Sequence, residues 1–106
     1  MFEYGKTNYK TRSEMIDGVI SVYHHNTKIV EHHIKDNFIF IDNGGYYSKT
    51  TKDRINHYLK LHTNYRLYQK NFDWFIDLVG SDQKALATWN YVNGICLVSN
   101  LKEINA

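Results

Sequence analysis

Apolar positions along this chain come in short alternating runs, with only one stretch of sustained helical spacing. Val19-Ile20-Ser21-Val22-Tyr23 and Ile29-Val30 are β-branched and aromatic, and the polar pair Asn26-Thr27 lies between them. That pattern predicts a β-hairpin turning on Asn26-Thr27. Phe38-Ile39-Phe40-Ile41 predicts a third strand, broken by Asp42-Asn43-Gly44-Gly45. Before the meander, residues 11–17 predict a short helix, capped by Thr11 or Ser13, anchored by Met15 and Ile16 and stopped at Gly18. After it, Thr50 is the expected N-cap of the main helix. Asp53 then falls at its third position, and Ile55, Tyr58, Leu59 and His62 follow at 3–4 spacing. Lys52, His57 and Lys60 are left for solvent.

Residues 72–80 fit two periods. As a helix, Asn71 caps the segment and Gly80 ends it. As a strand, Phe72, Trp74, Ile76 and Leu78 alternate with Asp73, Phe75 and Asp77. The strand is the favoured reading, because Lys70-Asn71 can turn a hairpin out of Arg66-Leu67-Tyr68. Asn93-Gly94 is likewise a type I′ signal before Ile95-Cys96-Leu97-Val98. The expected fold is α+β: an antiparallel meander with one main helix packed on it and a short N-terminal helix, in a single domain over residues 1–106.

Composition narrows the class. Hydrophobic residues make up 42% and charged residues 23% of 106 positions, ordinary values for a packed domain. No apolar run exceeds four residues, as in Phe38 to Ile41, far short of the roughly 20 a membrane-spanning helix needs. The first residues lack a basic-then-apolar leader, and the single cysteine, Cys96, makes neither an internal disulfide nor a thiolate zinc site. A cytoplasmic protein is expected, with no membrane partner. Asn, Lys, Ile and Tyr supply 40 residues, a bias towards A/T-rich codons that suggests a low-GC bacterium or its phage.

The formal net charge of +2 hides an uneven distribution. Residues 1–43 are net −1, residues 44–70 net +5 and residues 71–106 net −2. The middle third is therefore the candidate surface for an acidic partner.

Catalytic motifs are missing from the sequence. No GxSxG, P-loop, GxGxxG or HExxH pattern occurs, so no catalytic residue is assigned and no enzyme activity is expected. Cys96, between Ile95 and Leu97, reads as a buried inert thiol. The doublets His24-His25 and His32-His33 invite a metal reading. With Asn26-Thr27 as the turn, however, the doublets are offset by about three residues, on the order of 10 Å, and each sends its two rings to opposite faces. No metal and no cofactor is expected.

The segment from Gly45 to Asn56 concentrates aromatics, hydroxyls and cations around a helix N-terminus, where free amides favour anions. Tyr46 and Tyr47 are placed to stack on a partner, with Ser48, Lys49, Thr50, Lys52 and Arg54 beside them. Lys60, Arg66 and Lys70 complete the candidate binding set.

Two stretches carry a resemblance: Val22-Tyr23-His24-His25-Asn26-Thr27-Lys28-Ile29-Val30, and Gly45-Tyr46-Tyr47-Ser48-Lys49-Thr50-Thr51-Lys52-Asp53-Arg54-Ile55-Asn56. Together they resemble a family of small proteins of phages and mobile elements. Its members have a short helix, a Tyr-Asn-Thr strand and a Tyr-Ser-x-Thr-Thr-x-x-His-Ile-Asn helix start. The pattern covers about residues 11–62; Arg54 replaces the usual His, and the first stretch has an extra His. The resemblance implies origin and fold, not a site. It also implies an accessory protein that disarms host defence: a non-enzymatic inhibitor of the anti-CRISPR type, whose partner is a Cas nuclease complex, with or without its guide RNA. The alternative from the residues alone is a nucleic-acid-binding module using residues 44–70. A homodimer is also expected, since proline-free sheet edges and sixteen aromatic rings leave Tyr4, Tyr9, Tyr65, Tyr68 and Trp89 as candidates for a surface patch.

Overall fold

A computed structural model describes residues 11–99. Eight strands and one helix follow in the order β1 (Thr11–Ile16), β2 (Val19–His24), β3 (Thr27–His33), β4 (Phe38–Ile41), α1 (Lys49–His62), β5 (Tyr65–Lys70), β6 (Asp73–Val79), β7 (Ala85–Asn90) and β8 (Ile95–Val98). The strands form two antiparallel sheets, ordered β1-β2-β3-β4-β8 and β5-β6-β7. The fold is therefore mainly β, and the α+β expectation of a single meander carrying a main helix and an N-terminal helix is corrected.

The segment expected as an N-terminal helix is β1. Asp17 and Gly18 both take positive φ, 53° and 79°, so they form a two-residue turn that pairs Ile16 with Val19. Asp-Gly is a strong hairpin turn as well as a helix stop, and here the hairpin wins. Met15 and Ile16 consequently lie exposed at the sheet edge instead of anchoring a helix. Residues 73–79 adopt the strand form, but the hairpin turns on Asn71-Phe72 (φ 52° and 71°), one residue later than expected. That shift ejects Phe72 from the inward alternation of Trp74, Ile76 and Leu78, all buried.

The β2–β3 turn is also displaced. His24 pairs with Thr27, so His25 and Asn26 make the turn, and His25 takes a φ of 56°. A register shift at Val22/Tyr23 restores the pairing of Val22 with Val30. The extra residue, Ile29, can then face inward alongside Val30. Without that shift, every residue of one strand would swap faces.

Asn93-Gly94 does form a turn, closed by the bond from Ile95 N–H to the Val92 carbonyl at 3.1 Å. It joins the two sheets rather than two strands of a hairpin, since β8 pairs with β4. In β8, Leu97 points inward opposite Ile39, and Cys96 is exposed, which corrects the expected buried thiol.

The helix is the hinge of the packing. Ile55, Tyr58 and Leu59 join Val22, Val30, Ile39 and Ile41 of one sheet and Leu67, Trp74 and Ile76 of the other in one apolar cluster. Asn56 ties the helix to β5 twice, accepting from Leu67 N–H at 2.7 Å and donating to the Leu67 carbonyl. An edge strand's free backbone groups are thus satisfied by a side chain, which closes that edge to other strands.

Candidate binding surface at the start of the helix

The approach to α1 is a run of tight turns. Asp42 Oδ1 accepts from Gly44 N–H at 2.7 Å and Asn43 Oδ1 from Gly45 N–H at 2.8 Å, while Tyr46 N–H donates to the Asn43 carbonyl. Gly44 has a φ of 65°, and a Cβ there would stand 2.5 Å from Thr27 Cγ2, so only glycine fits. This loop delivers Tyr46 and Tyr47 to the surface, 63% and 57% exposed.

Ser48, not Thr50, is the N-cap. Its Oγ accepts from Thr51 N–H at 3.2 Å and donates to Thr51 Oγ1 at 3.0 Å. The helix therefore begins two residues earlier than expected, and Asp53 falls outside the first turn, where it pairs with Lys49 at 2.7 Å. That exposed i,i+4 pair contributes only about 0.3–0.5 kcal/mol. Thr50 is exposed on the first turn, and Thr51 is buried.

Tyr47 lies edge-on to Trp74 (centroids 5.0 Å apart) and to Tyr91 (6.2 Å). Lys52 reaches across the same ring, its Nζ 5.8 Å from the Trp74 centroid and 3.1 Å from Gln69 Oε1. Phe72, at the neighbouring hairpin tip, is 92% exposed and shares a shallow cavity of about 320 Å³ with Tyr47, Trp74 and Tyr91. Tyr91 itself is buried. Its phenol accepts from Asn43 N–H at 2.7 Å and donates to Asn93 Oδ1 at 2.8 Å, and burial raises its pKa well above the usual tyrosine range.

The structure divides the ten candidate residues. Tyr46, Tyr47, Ser48, Lys49, Thr50 and Lys52 gather at the helix start, and Lys70 ends the adjoining strand, one residue past Gln69. Lys60 and Arg66 belong to the opposite end. Eleven residues separate Lys49 from Lys60, about 16 Å along the axis, and Arg66 Nη1 donates to the Tyr65 and Thr63 carbonyls. Arg54 is half-buried; its Nε is buried without a hydrogen-bond partner among the described residues. The basic third of the sequence is therefore not one continuous basic face.

Phe72, Trp74, Asn43 and Tyr91 were missed as site residues. Phe72 was hidden by its place in an apparently perfect inward alternation. Trp74 and Tyr91 lie far along the chain from the Tyr46-Tyr47 pair, and only the return of the second sheet brings them together. Of the expected patch, Tyr65 is buried, its phenol donating to the Val98 carbonyl and its pKa pushed up to about 12 by burial. Tyr68 is partly buried and Trp89 is 37% exposed, so they do not form the patch expected; Tyr4 and Tyr9 lie outside the described residues.

The histidines separate as well. His32 is buried against Tyr58, whereas His33 faces outward to Glu31 at 2.6 Å and stacks on Phe38. His24 and His25, expected on opposite faces, lie edge to face with centroids 4.4 Å apart, because His25 occupies the turn. Among the described residues, no three His, Cys, Asp or Glu side chains are grouped to hold a metal. No helix among them is long and apolar enough to cross a membrane.

Fold and surface together define a small two-sheet β protein, with one helix at its centre and an aromatic, cation-flanked surface at that helix's start. The family model described as Kyanoviridae Gp96 protein matches residues 1–98, and the chain belongs to this phage family. No curated protein and no solved structure matches it.

Proposed function

We propose that this phage accessory protein works by binding, without catalysis, and that its target is a host defence complex, foremost a Cas nuclease with its guide RNA. Phe72 carries the reading. A phenylalanine at φ 71° holds a backbone conformation disfavoured for bulky residues, at a cost of order 1 kcal/mol, and its ring is 92% exposed. Burying that ring would be worth about 2 kcal/mol. The fold gains nothing visible from it, whereas a partner would. Beside it stands the exposed ring of Tyr47, a residue type that often dominates interfaces, with Lys52 over the buried Trp74 ring.

Phage origin and the absence of a catalytic motif support a stoichiometric inhibitor. The test is to mix the protein with purified Cas nuclease complexes, reading co-elution and target cleavage. Co-elution with loss of cleavage at equimolar ratio is expected, and Phe72→Gly with Tyr47→Ala should weaken inhibition by about 30-fold, the scale of a 2 kcal/mol hot spot. Inhibition unchanged in that double variant sinks the surface; no complex bound or inhibited sinks the function.

A second reading rests on the exposed rings of Tyr46 and Tyr47 beside Lys49 and Lys52, a combination that also suits single-stranded nucleic acid. It draws on Lys49, Lys52 and Lys70 but not on Lys60, Arg66 or Arg54. Binding through three cations should fall with salt at a slope of about −2 in log–log form. A gel shift at two salt concentrations measures it.

A further inference from the structure

The two sheets end in edge strands, β1 and β8 in one, β5 and β7 in the other. An edge strand carries unpaired N–H and C=O groups, and proteins blunt such edges by shortening, bulging, charging or covering them. Three of these edges are blunted. Asn56 occupies the Leu67 backbone of β5. The register shift at Leu78/Val79 puts an extra residue into β7. Strand β8 is only four residues long, and the Tyr65 phenol donates to its Val98 carbonyl. Strand β1 has none of these devices: it runs six residues in unbroken register with β2, without lysine or proline.

The free groups of β1 can be assigned. The Asp17-Gly18 turn makes Ile16 and Val19 a hydrogen-bonded pair, and such pairs alternate along an antiparallel ladder. Arg12, Glu14 and Ile16 therefore engage β2 with their backbone groups, while Ser13 and Met15 turn theirs to the open edge. Side chains alternate as well, so Arg12 and Glu14 share one face of the strand. The Arg12 guanidinium carbon lies 4.1 Å from the Tyr23 ring centroid. That contact uses the flat face of the group and leaves its N–H edge open. Neither Arg12 nor Glu14 makes an ion pair among the described residues.

The spacing of these two charges identifies the occupant. When β1 pairs antiparallel with a second β1 about a two-fold axis at Ser13, the two Ser13 residues exchange backbone hydrogen bonds. Arg12 of each copy then falls directly opposite Glu14 of the other. Cβ atoms of such a pair stand about 4.5–5.5 Å apart, so opposite charges meet on both sides of the axis. A foreign strand leaves both charges unmatched unless it carries them in the same order. Met15 and Ile16, 56% and 62% exposed, flank the contact.

We propose that the protein forms a two-fold dimer through β1, which joins two five-stranded sheets into one and closes the contact with reciprocal Arg12–Glu14 pairs. This places the dimer contact on β1 rather than on Tyr65, Tyr68 and Trp89, and it uses no residue of the Phe72 surface. A six-residue strand makes a small interface, so the expected dissociation constant is micromolar rather than nanomolar.

Sedimentation equilibrium of the full chain, from about 1 µM to about 1 mM, tests this. The mass should rise from 12.6 kDa towards twice that value. Arg12→Glu and Glu14→Arg each set like charges opposite one another and should weaken the dimer at least about tenfold. The double exchange restores opposite charges and should return the dissociation constant to within about threefold of the parent. Hydrogen exchange on the unaltered chain gives an independent reading. The Ser13 and Met15 amides should slow as concentration rises, and the Arg12 and Glu14 amides, already bonded to β2, should change less. A mass that stays at 12.6 kDa up to about 1 mM would overturn the proposal. So would a dimer indifferent to the single exchanges, one that the double exchange fails to restore, or Ser13 and Met15 amides whose exchange ignores concentration.

Discussion

The interior at β3 and the tip of the β5–β6 hairpin break the inside–outside rule in opposite directions. His32 is buried with its Nδ1 hydrogen-bonded to Tyr58, and Asn43 is buried against Tyr91. Phe72 stands in water. His32 Nδ1 and the backbone groups and Oδ1 of Asn43 are held by named partners, so the burial of these groups has a structural explanation. Phe72 has no comparable contact to explain its position, and its backbone is strained as well. A polar group buried with partners is evidence about folding; an apolar group exposed at a cost points outward, to something the chain meets.

The sharpest way to break this contrast is acid. Burial, reinforced by His62 and His33, lowers the pKa of His32 to about 4, below the ordinary histidine value of 6.5. A histidine depressed in the folded state binds its proton more readily in the unfolded chain. Its stabilising contribution is therefore complete above pH 6.5 and is lost as pH falls towards 4. The loss should reach up to about 3 kcal/mol, and His24, depressed in the same direction, adds to it. Urea unfolding at a series of pH values measures the slope, and His32→Phe should flatten it; a slope unchanged in that variant would place the acid sensitivity elsewhere.

Asn56→Ala comes next. It frees both backbone groups of Leu67 at the helix–strand contact, and a loss of about 2 kcal/mol is expected in denaturant melts. If stability barely moves, water replaces the amide and the β5 edge is more open than it looks.

Tyr91→Phe removes the acceptor of Asn43 N–H and should cost about 1–2 kcal/mol. It should also loosen the turns that carry Tyr46, seen as faster amide exchange at Gly45 and Tyr46.

The smallest effect has the opposite sign. Phe72→Gly gives the hairpin an Asn-Gly turn, for which positive φ is no strain, and should stabilise the fold by about 0.5–1 kcal/mol. A destabilised variant would mean the ring is packed in solution, and the contrast with the interior would collapse.

How much was legible follows from the range of each signal. The β2–β3–β4 meander, the helix around Ile55 and Tyr58, and the strand at Trp74 were readable, because burial imposes a local period on each. Turn registers were readable only to within a residue. Asn26-Thr27 and His25-Asn26 differ little in turn preference, and the choice was made by Ile29, which the register shift allows to join the core beside Val30. That single step carried His24 and His25 together. Residues 11–16 read locally as a helix, from a capping hydroxyl and the Gly18 stop, and pairing with β2 makes them a strand instead.

The sequence by itself determined that the chain is a packed, aromatic-rich domain, that the start of the main helix gathers tyrosines, hydroxyls and lysines, and that positive charge collects in its middle third. These are properties of composition and of neighbours a few residues apart. Tertiary structure alone decided that the strands divide between two sheets, with β8 returning to β4 across more than fifty residues. It alone scattered the basic third by half-burying Arg54 and sending Lys60 and Arg66 to the far end. It alone set Asn43 against Tyr91 and Tyr47 against Trp74. The physical reason is that strand pairing and ring contact between distant residues are chosen by what the whole core can bury at once, and no window along the chain contains that sum.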